Sequence, residues 1–512
     1  MFSFKVGSQD QTRLAILISY VSIFFNILAA LLYTPWMISK IGQADYGIYS
    51  LLISLVSLFA LDFGLGAAVS RFLATYKAVG DRKGARRFLG LAYKLFIVIA
   101  CIIFIILTAI YYLLENIYTG LTIQEIEKFR TAFLVIGIFT VVSFPFKPFD
   151  GILIANERFV YYKLVELLQR VLNVFLLVLV LTLGYGLFAI VVINSLTGLL
   201  IILMKYIYIK KTTDLEVELS YYDNNLFKEI FTFSSWITII MIAQRFIINI
   251  TPTILGSVSG TAAIAIFSIG TAIEAYTYTF SQALGGLFLT KVIKSITNND
   301  DLQEVERLSI KVGRIQLIVI GLLITGFIVM GKEFILLWVG EKFLDSYYVA
   351  VLLIIPTIIT FTQEIQNNLL IALNQINYKA MAYLIVGAIS MLLSLILSPE
   401  YGAIGSAIAI CIGNIIGNVG ILNLVYYKVY KLNIFQFFYN CHFKILVSLV
   451  LTLCIGLLIQ YAMPAQSFFL FIIKSSFLAS FYFVTIWFSF LNEYEKSLVL
   501  DLFRKINSLL RG

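Results

Sequence analysis

Residues 41–71, IGQADYGIYSLLISLVSLFALDFGLGAAVSR, carry the features from which the architecture can be derived. The run opens on a glycine-bounded turn and ends at Arg71, where a basic segment begins. Between them lie about twenty mostly apolar residues, the length that crosses a bilayer as a helix. Asp62 lies inside this apolar part. A carboxylate at membrane depth costs roughly 2.5 kcal/mol or more, so we expect Asp62 to face a polar cavity or a partner rather than lipid.

The composition of the whole chain agrees with this reading of one segment. Of the 512 residues, 61% are hydrophobic and 13% are charged, and the mean hydropathy is +0.96. Because the apolar share of a soluble domain is nearer one half, the chain is predicted to be an all-α polytopic membrane protein that lies in the lipid bilayer. The net charge of +9 could suggest nucleic acid. Lys and Arg fall in alternate loops, however, so the charge is a topology signal and no nucleic-acid partner is expected.

We predict about fourteen transmembrane helices. Their apolar spans are 14–35, 47–70, 89–113, 132–154, 162–183, 186–208, 229–253, 262–289, 312–330, 347–372, 378–397, 402–426, 444–463 and 467–490. The basic clusters follow the even-numbered spans, as at 77–87 and 205–211, and the chain ends on another basic segment. Both termini are therefore predicted to be cytoplasmic.

The sequence of the first half returns in the second half. Residues 58–75 align with 274–291, and the motif at 185–188 aligns with the one at 401–404. The offsets are roughly 214 to 218 residues, as a duplicated membrane unit would leave. We predict a six-helix bundle at 1–210, a cytoplasmic linker at 211–226, a second six-helix bundle at 227–428, and a terminal helix pair with a cytoplasmic tail at 429–512.

Catalytic chemistry within this chain is not expected. The longest loops, 113–131, 209–228 and 290–311, are too short for a soluble catalytic domain, and neither a P-loop nor a G-x-S-x-G sequence occurs. A single histidine, His442, and four scattered cysteines predict no metal site. The chain is predicted to be neither an enzyme nor a holder of cofactors.

Ionisable residues inside the predicted spans are the strongest functional signal. They are Asp62, Lys147, Asp150, Glu166, Arg170, Arg245, Glu274 and Glu364. Glu166 and Arg170 stand four residues apart on one helix face, which permits either a structural ion pair or a functional pair. Arg245 has no opposite charge within two turns of its own helix. An isolated guanidinium in a bilayer interior is hard to explain as structure alone.

Glycine and proline mark places where these helices are expected to bend or approach closely. Gly64 and Gly66 lie in span two, Pro145 and Pro148 in span four, and Pro252 near the outer end of span seven. Proline removes a helical hydrogen bond, and small residues let helix backbones approach.

Several loose motifs, in a fairly specific order, resemble a known family. They are Gly42-x-x-x-Tyr46-Gly47-x-Tyr49, Asp62-Phe63-Gly64-Leu65 followed by Arg71, Gly340 ahead of Tyr347, Leu370-Ile371-Ala372-Leu373-Asn374, and Tyr401-Gly402-Ala403-Ile404-Gly405-Ser406-Ala407. Over nearly its whole length the chain resembles the multidrug/oligosaccharidyl-lipid/polysaccharide exporter superfamily, and within it the Wzx-type polysaccharide flippases. The resemblance implies a MATE-like fold of two six-helix bundles with a terminal helix pair.

The resemblance also implies a function. Such flippases carry an undecaprenyl-diphosphate-linked oligosaccharide from the cytoplasmic to the outer leaflet of a bacterial inner membrane, for O-antigen, capsule or exopolysaccharide synthesis. A polysaccharide polymerase and a chain-length regulator would be partners. A diphosphate needs cationic donors, for which Arg245 and Arg170 are the best candidates, with Arg71 at the inner mouth. Polar side chains available for sugar hydroxyls are Asn249, Gln244, Asn26, Gln282, Gln363 and Asn367.

The carboxylates keep an alternative open. Among the ionisable residues named above they outnumber the cations, which leaves room for coupling to a proton or sodium gradient through Asp62, Glu364, Glu274, Asp150 or Glu166. It also leaves room for a MATE-type exporter of cationic drugs or metabolites, in which acidic residues bind the cargo. A non-transporting membrane scaffold would instead predict dispensable charges in the spans.

The predicted topology can be tested by labelling single cysteines in a chain freed of its four native ones. We expect Glu127→Cys to react with an impermeant maleimide in intact cells, because the loop at 124–130 is predicted to lie outside. Ser8→Cys and Lys83→Cys should react only after the membrane is opened, and labelling of Ser8→Cys from outside would contradict the topology.

Overall fold

A computed structural model describes residues 8–59, 64–213, 216–285, 302–373, 375–463, 467–497 and 500. For residues 8–10, 12–13, 229–237, 280–285 and 444 it describes the backbone only. Every regular element in the described ranges is a helix, so the predicted all-α fold class is confirmed.

The chain forms two compact units. The first comprises Met1–Ala265 with Ser398–Gly402, and the second comprises Ile266–Leu397 with Ala403–Gly512. The predicted division into bundles at 1–210 and 227–428 remains a prediction.

The first unit is built from nine helices and the start of a tenth, among the described residues. They are α1 Ser8–Phe59, α2 Leu65–Ala78, α3 Arg82–Ile117, α4 Ile123–Ser143, α5 Pro148–Ala155, α6 Phe159–Thr182, α7 Leu187–Thr212, α8 Asn224–Ile248, α9 Thr251–Val258 and α10 Gly260–Gly285. The second unit continues with α11 Leu302–Trp338, α12 Ser346–Ile354, α13 Thr357–Thr362, α14 Glu364–Ala372, α15 Asn377–Asn414, α16 Leu422–Lys428, α17 Ile434–Phe438, α18 Lys444–Ala462 and α19 Phe468–Ser489.

The helices account for all fourteen predicted spans. Within the described ranges, 10 helical segments are long and apolar enough to cross a membrane. Two of them, Leu14–Phe59 and Asn377–Lys428, have 46 and 52 residues, which is enough for two crossings each at about 20 residues per crossing. The two other predicted spans, 262–289 and 347–372, coincide with α10 and with the series α12 to α14.

Glycine divides both of the double-length helices. Gly42 has φ 83° within α1, and Gly402 has φ 54° within α15. Residues with a Cβ rarely adopt such angles, so glycine is the residue that permits these breaks. Two further glycines, Gly260 and Gly184, have φ 82° and 86°. The separation from Gly42 to Gly260 equals that from Gly184 to Gly402 and matches the offset of the sequence repeat.

The predicted bends at the prolines are confirmed. A 3-10 turn, Phe144–Phe146, separates α4 from α5 at Pro145 and Pro148. The break between α8 and α9 lies directly before Pro252. Span two differs from the expected single helix, because α1 ends at Phe59 and α2 begins after Gly64, whose φ is 68°.

Close packing at glycine is also observed, between α2 and α5. A Cβ added to Gly151 would lie 2.7 Å from the backbone oxygen of Gly66 and 2.9 Å from the Cβ of Val69. A larger residue at Gly151 would force the two helices apart. The packing role predicted for Gly66 itself remains a prediction.

The terminal helices α18 and α19 pack on α11 through an apolar core and two buried ion pairs. The core includes Leu317, Leu449 and Tyr482, and the Tyr482 hydroxyl donates to the Ile318 carbonyl at 2.7 Å. The guanidinium of Arg314 donates to both carboxylate oxygens of Glu495, at 2.6 and 3.0 Å.

The second buried pair lies near the other end of α11. The Lys474 ammonium donates to both oxygens of Glu333, at 2.8 and 2.7 Å, and to the Met463 carbonyl at 2.7 Å. Both pairs were missed at the sequence level, although Arg314 and Lys474 lie inside predicted apolar spans. The sequence signal that could have pointed to these pairs was a cation within an apolar run.

Breaking the ion pair between Arg314 and Glu495 should destabilise the protein strongly. Replacing Arg314 by Met leaves the Glu495 carboxylate buried without its partner, and we expect the free energy of unfolding to fall by about 3–5 kcal/mol. The measurement is thermal or denaturant unfolding in detergent. The control is Lys163→Met, which breaks a half-exposed pair with Glu166 and should change stability by about 1 kcal/mol at most. Equal effects of the two variants would contradict a structural role for the buried pair.

Candidate functional site

A charged cluster lies where α5, α6 and α7 meet in the first unit. The Lys205 ammonium donates to the Asp150 carboxylate at 2.5 Å, and the Lys163 ammonium donates to the Glu166 carboxylate at 2.8 Å. Both ammonium groups also face the ring of Tyr162, at 5.4 Å for Lys205 and 4.7 Å for Lys163. Asp150 and Glu166, two predicted ion-coupling residues, are thus each paired with a lysine.

The ion pair considered between Glu166 and Arg170 is not formed. Lys163, three residues before Glu166, takes the place of Arg170, four residues after it, because both positions lie on the same helix face. Arg170 instead reaches across to α1, where its Nη1 donates to the Ser22 carbonyl at 3.4 Å. This long contact leaves most of the hydrogen-bonding capacity of the guanidinium available.

Arg245 lies in the last turn of α8, and its side chain is half-buried. A cation near a helix C-terminus is favoured by the helix dipole. Asn249, four residues on, is half-buried on the same face, whereas Gln244 is exposed. Within the described parts of the chain, no carboxylate forms an ion pair with Arg245.

The lack of an ion pair with the described residues distinguishes Arg245 from three other cations inside the spans. Lys205, Arg314 and Lys474 each have a carboxylate oxygen within 2.7 Å. Those three positive charges are neutralised by the fold itself. The described residues provide no such carboxylate for the guanidinium of Arg245.

The remaining predicted site residues occupy varied surroundings. Arg71 is exposed on α2. Glu274 is half-buried on α10, and Glu364 is half-buried at the first position of α14, where Lys379 acts on it electrostatically. Asp62 lies outside the described residues.

A network of amides and hydroxyls holds the interrupted helix α13–α14 in the second unit. Gln363 and Asn423 exchange two side-chain hydrogen bonds, at 2.7 and 3.1 Å. The Tyr426 hydroxyl donates to Asn367 at 3.2 Å, and the Thr362 hydroxyl lies 3.1 Å from Nε2 of His442. Gln363 and Asn367 were predicted to be available for sugar hydroxyls, but they are buried and are bonded within the fold.

Asn26 and Gln282 were also predicted to be available for sugar hydroxyls. Asn26 is exposed on α1, and the side chain of Gln282 lies outside the described part.

Groups of three or more His, Cys, Asp or Glu side chains placed to hold a metal ion are absent from the described residues.

Comparison with known families gives one sequence match. A family model described as "Polysaccharide biosynthesis protein" matches residues 41–348, beginning at the segment quoted first. No curated protein sequence matches the chain at a significant level.

Solved structures share the fold at low sequence identity. The lipid II flippase MurJ, in an inward closed conformation, has a TM-score of 0.68 and 17% identity over 92% of this chain and 99% of its own. An inward-facing multidrug resistance MATE transporter of the MOP superfamily has a TM-score of 0.65 and 16% identity over 79% and 99%. A MOP superfamily transporter from Pyrococcus furiosus has a TM-score of 0.58 and 15% identity over 83% and 96%. The predicted MATE-like fold is confirmed.

Proposed function

The chain belongs to the polysaccharide biosynthesis protein family, and on that premise we propose that it flips an undecaprenyl-diphosphate-linked oligosaccharide from the cytoplasmic to the outer leaflet. It is a multi-pass membrane protein with the fold of flippases and MOP transporters. The product would serve O-antigen, capsule or exopolysaccharide synthesis. The proposed location is the bacterial inner membrane, with both termini in the cytoplasm and a polymerase and a chain-length regulator as partners.

The observation that supports this proposal is the guanidinium of Arg245, which forms no ion pair with the described residues. Placing a charge at membrane depth costs about 2.5–3.5 kcal/mol, and evolution tolerates it where the charge meets a partner or a substrate. A diphosphate offers several acceptor oxygens that match the planar fork of arginine. Arg170, held only by a long contact to a backbone carbonyl, is the second proposed donor, and Arg71 is proposed to attract the head group from the cytoplasm.

Asn249 and Gln244 are proposed to assist Arg245. Asn249 lies one turn beyond it on the same helix face, where its amide can bond a diphosphate or sugar oxygen. Gln244 is exposed next to Arg245 and can contact the more distal sugar. The head group would be held while the protein alternates between inward and outward access, as expected of a repeat-built carrier.

Coupling to a proton or sodium gradient is proposed to use Glu274, Glu364 and Asp62 first. Glu274 forms no ion pair with the described residues, and Lys379 acts on Glu364 electrostatically. Asp150 and Glu166 would first have to leave their lysines. An unpaired Glu274 also favours the second candidate function, a MATE-type exporter in which this carboxylate binds a cationic drug or metabolite.

The test is surface polysaccharide export in a strain that lacks its own copy of this gene and carries variants at matched membrane expression. We expect Arg245→Ala to lose most export, at least about tenfold, because a hydrogen-bonded charge pair contributes about 1.5–3 kcal/mol. Arg245→Lys should retain part of it, since the charge remains but the two-pronged donor is lost. Arg82→Ala, which removes an exposed arginine at the first position of α3, is the control and should export normally.

Two results would contradict the flippase mechanism. One is normal export by both Arg245→Ala and Arg170→Ala. The other is normal polysaccharide export by the strain without any copy of the gene, together with loss of its ability to extrude a cationic dye, which would favour the exporter.

A further inference from the structure

A small polar cavity of about 280 Å³ lies within the second unit, apart from the residues discussed above. The first turns of α11, the helix α14, and the segment from residue 432 into α17 form its walls. Its lining residues are Gln303, Glu306, Arg307, Ser309, Ile310, Gln366, Leu432, Asn433, Ile434, Gln436 and Phe437. The predicted topology places the start of α11 and the segment before α17 on the cytoplasmic side.

Two lining side chains are buried, and each has an oxygen without a hydrogen-bond partner among the described residues. Gln366 and Ser309 are each only 2% exposed. Oε1 of Gln366 and Oγ of Ser309 form no hydrogen bond with the described residues. Leaving a buried polar group unsatisfied costs about 1–3 kcal/mol, so such groups in native proteins normally meet water or a ligand. A cavity bordered by two of them is suited to a polar occupant.

The walls of the cavity are held in place before any ligand arrives. The backbone N–H of Asn433 donates to Glu306 at 2.6 Å, and the Asn433 side chain accepts from the Gln436 N–H at 2.9 Å. Beneath the walls, Val305, Ile365 and Leu432 belong to one buried apolar cluster. A preformed site loses less conformational freedom when it binds.

The chemistry of the lining selects the ligand class. Five of the seven polar or charged lining residues carry an amide or a hydroxyl, and amides both donate and accept hydrogen bonds, as sugar hydroxyls do. Leu432, Ile434 and Phe437 add apolar surface suited to the C–H face of a sugar ring. The volume is near the lower limit of about 300 Å³ for ligand pockets, which restricts the occupant to one ring. We propose that this cavity binds a single sugar residue from the cytoplasmic side.

The experiment uses the full chain in lipid nanodiscs and measures saturation transfer by NMR to D-glucose, D-galactose and N-acetylglucosamine. We expect transfer to at least one of these sugars. Gln366→Leu should abolish it while preserving the fold, because the leucine removes the amide whose oxygen has no hydrogen-bond partner among the described residues and puts an apolar group of similar size in its place. Gln436→Ala, at the exposed rim, should reduce it without touching the core.

A matched control separates the cavity from a general effect of burying leucine. Gln316 is fully buried, its amide also has no partner among the described residues, and it does not line the cavity. Gln316→Leu should therefore bind the sugar like the unmodified protein. The proposal is overturned if none of the three sugars receives saturation, which would mean that water alone fills the cavity. It is also overturned if transfer persists undiminished in both Gln366→Leu and Gln436→Ala. Binding of free sugars does not depend on transport, so this result is independent of the proposed flipping.

Discussion

A charge in a medium of low dielectric constant needs a partner, and this constraint governs the ionisable residues of the protein. Three cations within the spans, Lys205, Arg314 and Lys474, satisfy it with carboxylates supplied by other helices. Such pairs contribute modestly to net stability, but removing one member leaves an uncompensated charge. They therefore fix which helices lie together, most clearly where α18 and α19 pack on α11. Arg245 is different, because its half-buried guanidinium has no such carboxylate in the described chain, and this difference is the basis for assigning it to a substrate.

The N–H and C=O groups of the backbone also need partners in a medium of low dielectric constant. Helices satisfy their own peptide groups, so an interruption at membrane depth needs side chains or neighbouring helices to replace the lost hydrogen bonds. Around the break between α13 and α14, the amide pair of Gln363 and Asn423 and the bond from Tyr426 to Asn367 lie beside the interruption. Gln363 and Asn367 are consequently buried polar residues of the second unit. Residues that resemble sugar-binding groups in the sequence serve here to hold an irregular helix.

Local patterns in the sequence were sufficient to predict the local structure. Hydropathy predicted fourteen spans, and the prolines at 145, 148 and 252 predicted bends that the structure confirms. These features depend on neighbouring residues only. The ion pairs could not be predicted in this way, since Arg314 and Glu495 are 181 residues apart and Lys474 and Glu333 are 141 apart. At Glu166 the sequence analysis considered Arg170 as the partner, and the structure shows that Lys163 on the same helix face is the one used. The roles of the site residues remain predictions.

The central claim is that the unpaired guanidinium of Arg245 holds the diphosphate of the lipid-linked substrate. The most direct measurement is the affinity of the purified protein for undecaprenyl diphosphate, determined by native mass spectrometry for the unmodified chain, for Arg245→Ala and for Arg245→Lys. Loss of a charge-assisted hydrogen-bonded contact predicts at least about tenfold weaker binding for Arg245→Ala, and an intermediate affinity for Arg245→Lys. Equal affinity in all three proteins would contradict the claim.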